Sequence, residues 1–210
     1  MIGVPRIVPH ARLRARPRET YHMGMPDTAT KWTREMVLAL PDDGKRYELF
    51  DGELLVSPAP NLVHQLALAR LYDALAPFVR AHRLGETLWS PADLSLGGDE
   101  LAQPDLFVLP FLPPDRRDWS AYPNPILVVE VLSPSTARYD RIVKRRRFQR
   151  ARIAEYWIVD LDARVVERWR PGDERPEVAD ERLAWHPEGA EAALEIALPG
   201  LFTSVWGKES

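Results

Sequence analysis

With 210 residues, 45% of them hydrophobic and 28% charged, the chain has the size and composition of one folded domain with a sizeable core. A formal net charge of -3 gives it no general affinity for polyanions, so any basic surface must be local. The absence of cysteine excludes disulfides, thiolate catalysis and cysteine-ligated zinc; with no apolar run of membrane-spanning length and no apolar core near the start, a cytoplasmic protein with no membrane partner is expected.

Residues 1–30 are rich in arginine and proline and have no amphipathic period, so a disordered or loosely attached segment is expected there, with the folded unit at 31–210. In "TREMVLALP", Thr33 offers an N-cap, Glu35 an acidic first turn and Pro41 a stop, which predicts a short helix over 33–40. "RYELFDGELLV" has two alternating apolar runs joined by Asp51-Gly52, the signature of a hairpin with a two-residue turn. From Asn61, a second N-cap, the residues Leu62, Leu66, Leu71, Leu75, Phe78 and Val79 form one stripe of the longest helix, which Pro77 is expected to kink and Gly85 to end. Strands are predicted over 86–89, 93–96 and 105–109, followed by a proline-rich surface loop over 110–125. "PILVVEVLSPST" then reads as a strand buried on both faces, a basic helix spans about 138–150, and "EYWIVD" and "RVVERWR" are two more strands. Beyond Pro171, irregular structure with one or two short edge strands is expected. A buried strand, a helix and a second buried strand make a βαβ unit, so the predicted class is α/β with a mixed sheet flanked by helices.

The buried strand contains Glu130, and an unpaired carboxylate there would cost several kcal/mol or take up a proton. Asp105 opens another buried strand. If the two strands are neighbours, their carboxylates converge at one edge and can share a divalent cation, magnesium being the natural choice because it takes one or two carboxylates and keeps several waters. On the following helix Asp140, Lys144 and Phe148 recur at i, i+4 and i+8, so Lys144 can point back to that edge, where an ammonium orients an attacking water or stabilises charge on a phosphate. Over 138–152, seven arginines and one lysine face the single Asp140, a density suited to the phosphates of a polyanion. Each feature also has a plainer reading: Asp105 capping a turn, Glu130 paired with an arginine, Asp140 and Lys144 as an exposed helix pair, the arginines as a solvated face.

The stretches "RYELFDGELLVSPAPNLVHQ", "QPDLFVL" and "ILVVEVLSPSTARYDRIVKRRRFQRARIAEYWIVD" together resemble the Uma-two family of restriction-endonuclease-like proteins, in the PD-(D/E)XK nuclease superfamily, from about Lys31 to Trp169. The resemblance implies a restriction-endonuclease-like core that hydrolyses DNA phosphodiesters with Mg²⁺, for which Mn²⁺ substitutes. It implies Asp105 and Glu130 as metal ligands; Leu132 stands where the general superfamily pattern has its lysine, and Lys144 matches the lysine that the Uma-two pattern carries instead on the following helix. Glu53, of the "DGE" turn, is implied as a third acidic contributor with Glu48 as its rival. His64 matches a position often histidine in the family, suited to a phosphate contact or a proton shuttle, and Phe148 departs from an expected tyrosine. Arg141 and Arg145 are expected to hold the DNA backbone, and a homodimer would suit the cutting of two strands. The alternative on the same fold is a module that binds nucleic acid or a partner protein without cutting.

Overall fold

The structure, a computed structural model, describes residues 31–110 and 123–207; the segments 1–30 and 111–122, on which the N-terminal and most of the proline-loop expectations fall, lie outside the described residues. Helix α1 (Arg34–Leu38) is capped by Thr33, whose hydroxyl accepts from Met36 N at 3.3 Å. Strands β1 (Arg46–Phe50) and β2 (Glu53–Ser57) form the hairpin, with Asp51 and Gly52 both at positive φ as its two-residue turn demands. Helix α2 (Leu62–Ala81) begins on Asn61, whose Oδ1 accepts from His64 N at 2.9 Å, and continues through Pro77. The buried stripe differs from the expected one at its start: Leu62 is 73% exposed, whereas His64 and Ala67 face inward with Leu71, Leu75 and Val79.

The central sheet has the order β3-β4-β5-β6-β7-β8, from β3 (Glu86–Trp89), β4 (Leu106–Leu109), β5 (Leu127–Val131), β6 (Glu155–Asp160), β7 (Val165–Trp169) and β8 (Glu177–Ala179). All neighbours are antiparallel except β5 and β6, the parallel pair required by the βαβ unit. The segment predicted as a strand over 93–96 forms only a single bridge, Leu94 to Ala102, because Pro91 before it and Gly97-Gly98 after it leave room for no more. Helix α3 (Ala137–Tyr139), a π-helical turn (Asp140–Lys144) and α4 (Arg145–Arg150) together make the basic helix.

Past Pro171 the structure holds more than the expected edge strands: a second hairpin, β9 (Arg182–Trp185) with β10 (Leu194–Ala197), and helix α5 (Leu198–Trp206). One face of the sheet packs against α2, α5 and this hairpin, through Leu127, Val129, Trp157, Leu71, Trp185 and Phe202. The other face carries Phe107, Val128, Tyr156 and Ile158 and is covered by the first hairpin and the basic helix through Phe50, Leu55 and Phe148. Among the described residues no helix is long and apolar enough to cross a membrane.

Gly85 follows α2 where the chain turns into β3, with φ +135°, and a Cβ there would collide with the Leu109 carbonyl oxygen on β4. Gly85→Ala is therefore expected to cost more than about 1 kcal/mol. The check is a fall in the urea midpoint at constant m-value.

Candidate active site

Both acidic residues lie on the hairpin-covered face of the sheet by simple alternation: Asp105 with Phe107 and Leu109, Glu130 with Val128. Leu106 pairs with Val129 across β4 and β5, so the next rung sets Asp105 opposite Glu130. Asp105 Oδ2 accepts from Val131 N at 2.8 Å and shares a hydrogen bond with His64 Nε2 at 3.1 Å, and its Oδ1 accepts from Arg46 Nη1 at 2.7 Å. A carboxylate only accepts, so Nε2 of His64 is the donor in this bond. The same guanidinium nitrogen of Arg46 lies 4.0 Å from Glu130 Oε2 and thereby bridges the two carboxylates.

Lys144 completes the cluster from the basic helix, where the π turn at Asp140–Lys144 interrupts the α-helix and both residues are buried. Its Nζ donates to Glu130 Oε1 at 2.9 Å and lies 2.8 Å from Glu48 Oε2 and 3.3 Å from Asp140 Oδ1. Only the Glu130 contact has hydrogen-bond geometry; Glu48 Oε2 and Asp140 Oδ1 are buried acceptors without a hydrogen bond. Glu48 is held through its other oxygen, which accepts from Gln103 N at 2.9 Å.

Electrostatics separates these groups. Burial opposes ionisation of Asp105, but the His64 hydrogen bond and the charges of Arg46 and Lys144 win and hold its carboxyl below the ordinary range. Glu130 moves the other way: burial, reinforced by Asp105, Asp140 and Glu48, raises it well above the usual carboxylate value although Lys144 pulls it down. Asp140 is raised too, chiefly by burial and against the pull of Lys144. Burial alone would lower Lys144, but Glu130, Glu48 and Asp140 more than offset this and keep the ammonium protonated.

Four buried carboxylates thus face two permanent cations, Lys144 and Arg46. The cluster opens on a cavity of about 820 Å³ whose wall includes Asp105, Glu130, Lys144, Ser133, Thr136 and Arg141. Hard oxygen donors and more carboxylates than permanent cations suit a divalent cation, and the cavity that Asp105 and Glu130 line has room for its waters. Among the described residues no group of three or more Asp, Glu or His is arranged to hold an ion, so the candidate ligands are the pair Asp105 and Glu130. A pair suffices for magnesium.

The structure therefore brings Asp105, Glu130, Lys144 and His64 together. It does not bring Glu53 into the cluster. Glu53 opens β2 opposite Phe50 beside the turn, two rungs from Glu48, and is near enough to Tyr139 only to help raise that phenol, after burial. Glu48 holds the third acidic place. Arg141 lines the cavity, with Nη2 on Asp160 at 2.8 Å and Nε on Glu167 at 2.7 Å. Arg145 does not line it: the guanidinium stacks 4.6 Å over the Trp169 ring and donates to Gln149 and to the Arg141 carbonyl. Arg147, also of the basic run, is buried and bound to Glu100 and Asp51, where it ties the helix to the first hairpin.

These features define a mixed α/β protein with a carboxylate–lysine site at one end of two interior strands of its sheet. The fold is shared with a crystal structure from Anabaena variabilis described as a "putative nuclease", at a TM-score of 0.64 and 21% identity, over 83% of this chain and 99% of that one. No curated protein matches. The model of the Uma2 family, described as "Putative restriction endonuclease", matches residues 34–205, and the chain belongs to that family.

Proposed function

We propose that the protein is a metal-dependent endodeoxyribonuclease. The observation that carries this reading is the convergence of Asp105, Glu130 and Lys144, from three separate elements, on a buried site with more carboxylates than cations beside a large cavity. Asp105 and Glu130 would hold Mg²⁺ or Mn²⁺, which supplies Lewis-acid polarisation of the scissile phosphate and acidifies the attacking water. Asp105, fixed by Arg46, His64 and Val131 N, stays ionised and orients this edge of the site. His64 acts through Asp105 as a positioning residue. Lys144 keeps its proton, so its role is to donate to the oxygen on which negative charge develops, not to accept a proton. Arg141 contributes its remaining N–H groups to the phosphate backbone, a contact that positions DNA without reading sequence. Two subunits, each cutting one strand, would account for double-strand cleavage.

The test is nicking of supercoiled plasmid with Mg²⁺, Mn²⁺ or chelator, with Asp105→Asn alongside. Nicking by wild type only with metal, and none by the variant, is the expected result. Cleavage that persists in chelator would sink the metal role. Plasmid retarded on a gel but never nicked would transfer the protein to the non-cutting binding class.

A further inference from the structure

The carboxylate cluster lies between two cavities. Arg46, His64 and Asp105 line both the cavity already described and a second one of about 500 Å³. The second is bordered by Leu68, Tyr72, Trp89 and Gln65, with the Tyr72 and Trp89 rings edge to face at 5.0 Å. Trp89 is 55% exposed and Trp206, on the wall of the first cavity, 46% exposed, and these are the exposed tryptophans among the described residues. One stands on each side of the cluster. Each lies in a concavity that Asp105 also lines, a setting that suits a ligand with a flat face and a polar neighbour.

We propose that the two cavities hold consecutive unpaired bases of a nucleic-acid strand, with Trp89 as a stacking platform on one side, Trp206 on the other, and the connecting phosphate at Asp105 and Glu130. A base held inside a duplex has no free face to offer, so the substrate class is single-stranded DNA or a duplex locally opened at the cut. Arg46, at the junction, faces the linking phosphate, and Gln65 at the rim of the second cavity offers an amide to a base edge.

This inference rests on reading the cluster as the site of phosphodiester chemistry, but its test does not require cleavage. Fluorescence anisotropy in chelator compares three labelled probes: a thymidine oligonucleotide, an abasic strand of the same length, and a blunt duplex. Wild type is expected to bind the base-bearing strand about a hundredfold more tightly than the abasic one, in line with roughly a factor of ten for each of two base–aromatic stacks. Trp89→Ala should lose about tenfold of that preference, the share of one stack, and leave duplex affinity unchanged, while Trp89→Phe keeps it. Because Trp89 is exposed, the alanine variant retains its core, and the phenylalanine variant separates stacking from any local rearrangement. Equal affinity of wild type for base-bearing and abasic strands overturns the proposal, as does a Trp89→Ala loss that is the same for strand and duplex. Failure of nicking with the base preference intact would instead count against the nuclease reading alone.

Discussion

Lys144→Ala is expected to destabilise the metal-free protein by about 3–5 kcal/mol at neutral pH, the usual consequence of removing one partner from a buried charge cluster. The ammonium is 2% exposed and lies within 3.3 Å of three carboxylates, Glu48, Glu130 and Asp140. Without it only Arg46 remains, and that guanidinium is already bonded to Asp105. The loss should depend on pH in a defined direction. Glu130 and Asp140 are already raised by burial against the pull of Lys144, and deleting the lysine removes that pull. Their folded pKa values then lie further above the unfolded ones, the native state binds more protons, and stability rises as pH falls until the ordinary carboxylate range is reached. Asp105 runs the other way, being lowered, but its contribution is lost only below that range. Urea unfolding of wild type and variant in chelator should therefore show a gap that is wide at about pH 8 and narrower at about pH 5. A gap that is small at pH 8, or that does not narrow, would mean the carboxylates do not depend on Lys144 for their charge.

The legible part of the site was the part governed by local periodicity. Asp105 and Glu130 stand on strands whose alternation says which neighbours share their face, and Lys144 follows Asp140 at i+4, so these groupings follow from spacing alone. Arg46 and Glu48 were not legible in the same way. They alternate with Tyr47 and Leu49 in a short hairpin strand, and charged residues on one face of an isolated hairpin read as solvent-facing. Here that face, with Phe50 and Leu55, is pressed onto the sheet, and a contact between segments more than fifty residues apart decides it. Glu53 was drawn to the site by its motif, but its place beside the turn keeps it two rungs short. The partners of the basic run were not legible: a count of arginines carries no information on them, and Arg141 and Arg147 are bound to acids from other elements. Helix α5 was hidden by "LPGLF", where Pro199 is a helix-start signal but Gly200 beside it reads as a breaker; burial of Leu201, Phe202 and Val205 against α2 and the sheet outweighs the propensity cost.

Glu130→Gln should abolish cleavage and leave the metal-free fold as stable as wild type, or more stable by about 1 kcal/mol. The amide is isosteric, its oxygen can still accept from Lys144, and the substitution removes one negative charge from a cluster that holds four carboxylates and two permanent cations. Burial and its carboxylate neighbours already push Glu130 toward the neutral form, so a neutral side chain relieves that repulsion. Asp105→Asn makes the informative contrast. Asp105 accepts from three donors, so an amide there must aim its own N–H groups at Arg46 or at His64 and Val131 N, and this variant should lose stability as well as cleavage. Thermal unfolding in chelator, calorimetric titration with Mg²⁺ and plasmid nicking together separate the two carboxylates. Nicking by Glu130→Gln at the wild-type rate would remove it from the metal site. A loss of stability as large as that of Lys144→Ala would show that Glu130 is kept as the structural partner of the lysine. Stability retained with metal binding lost would identify Glu130 as a charge held at the expense of the apo fold for the cation it receives.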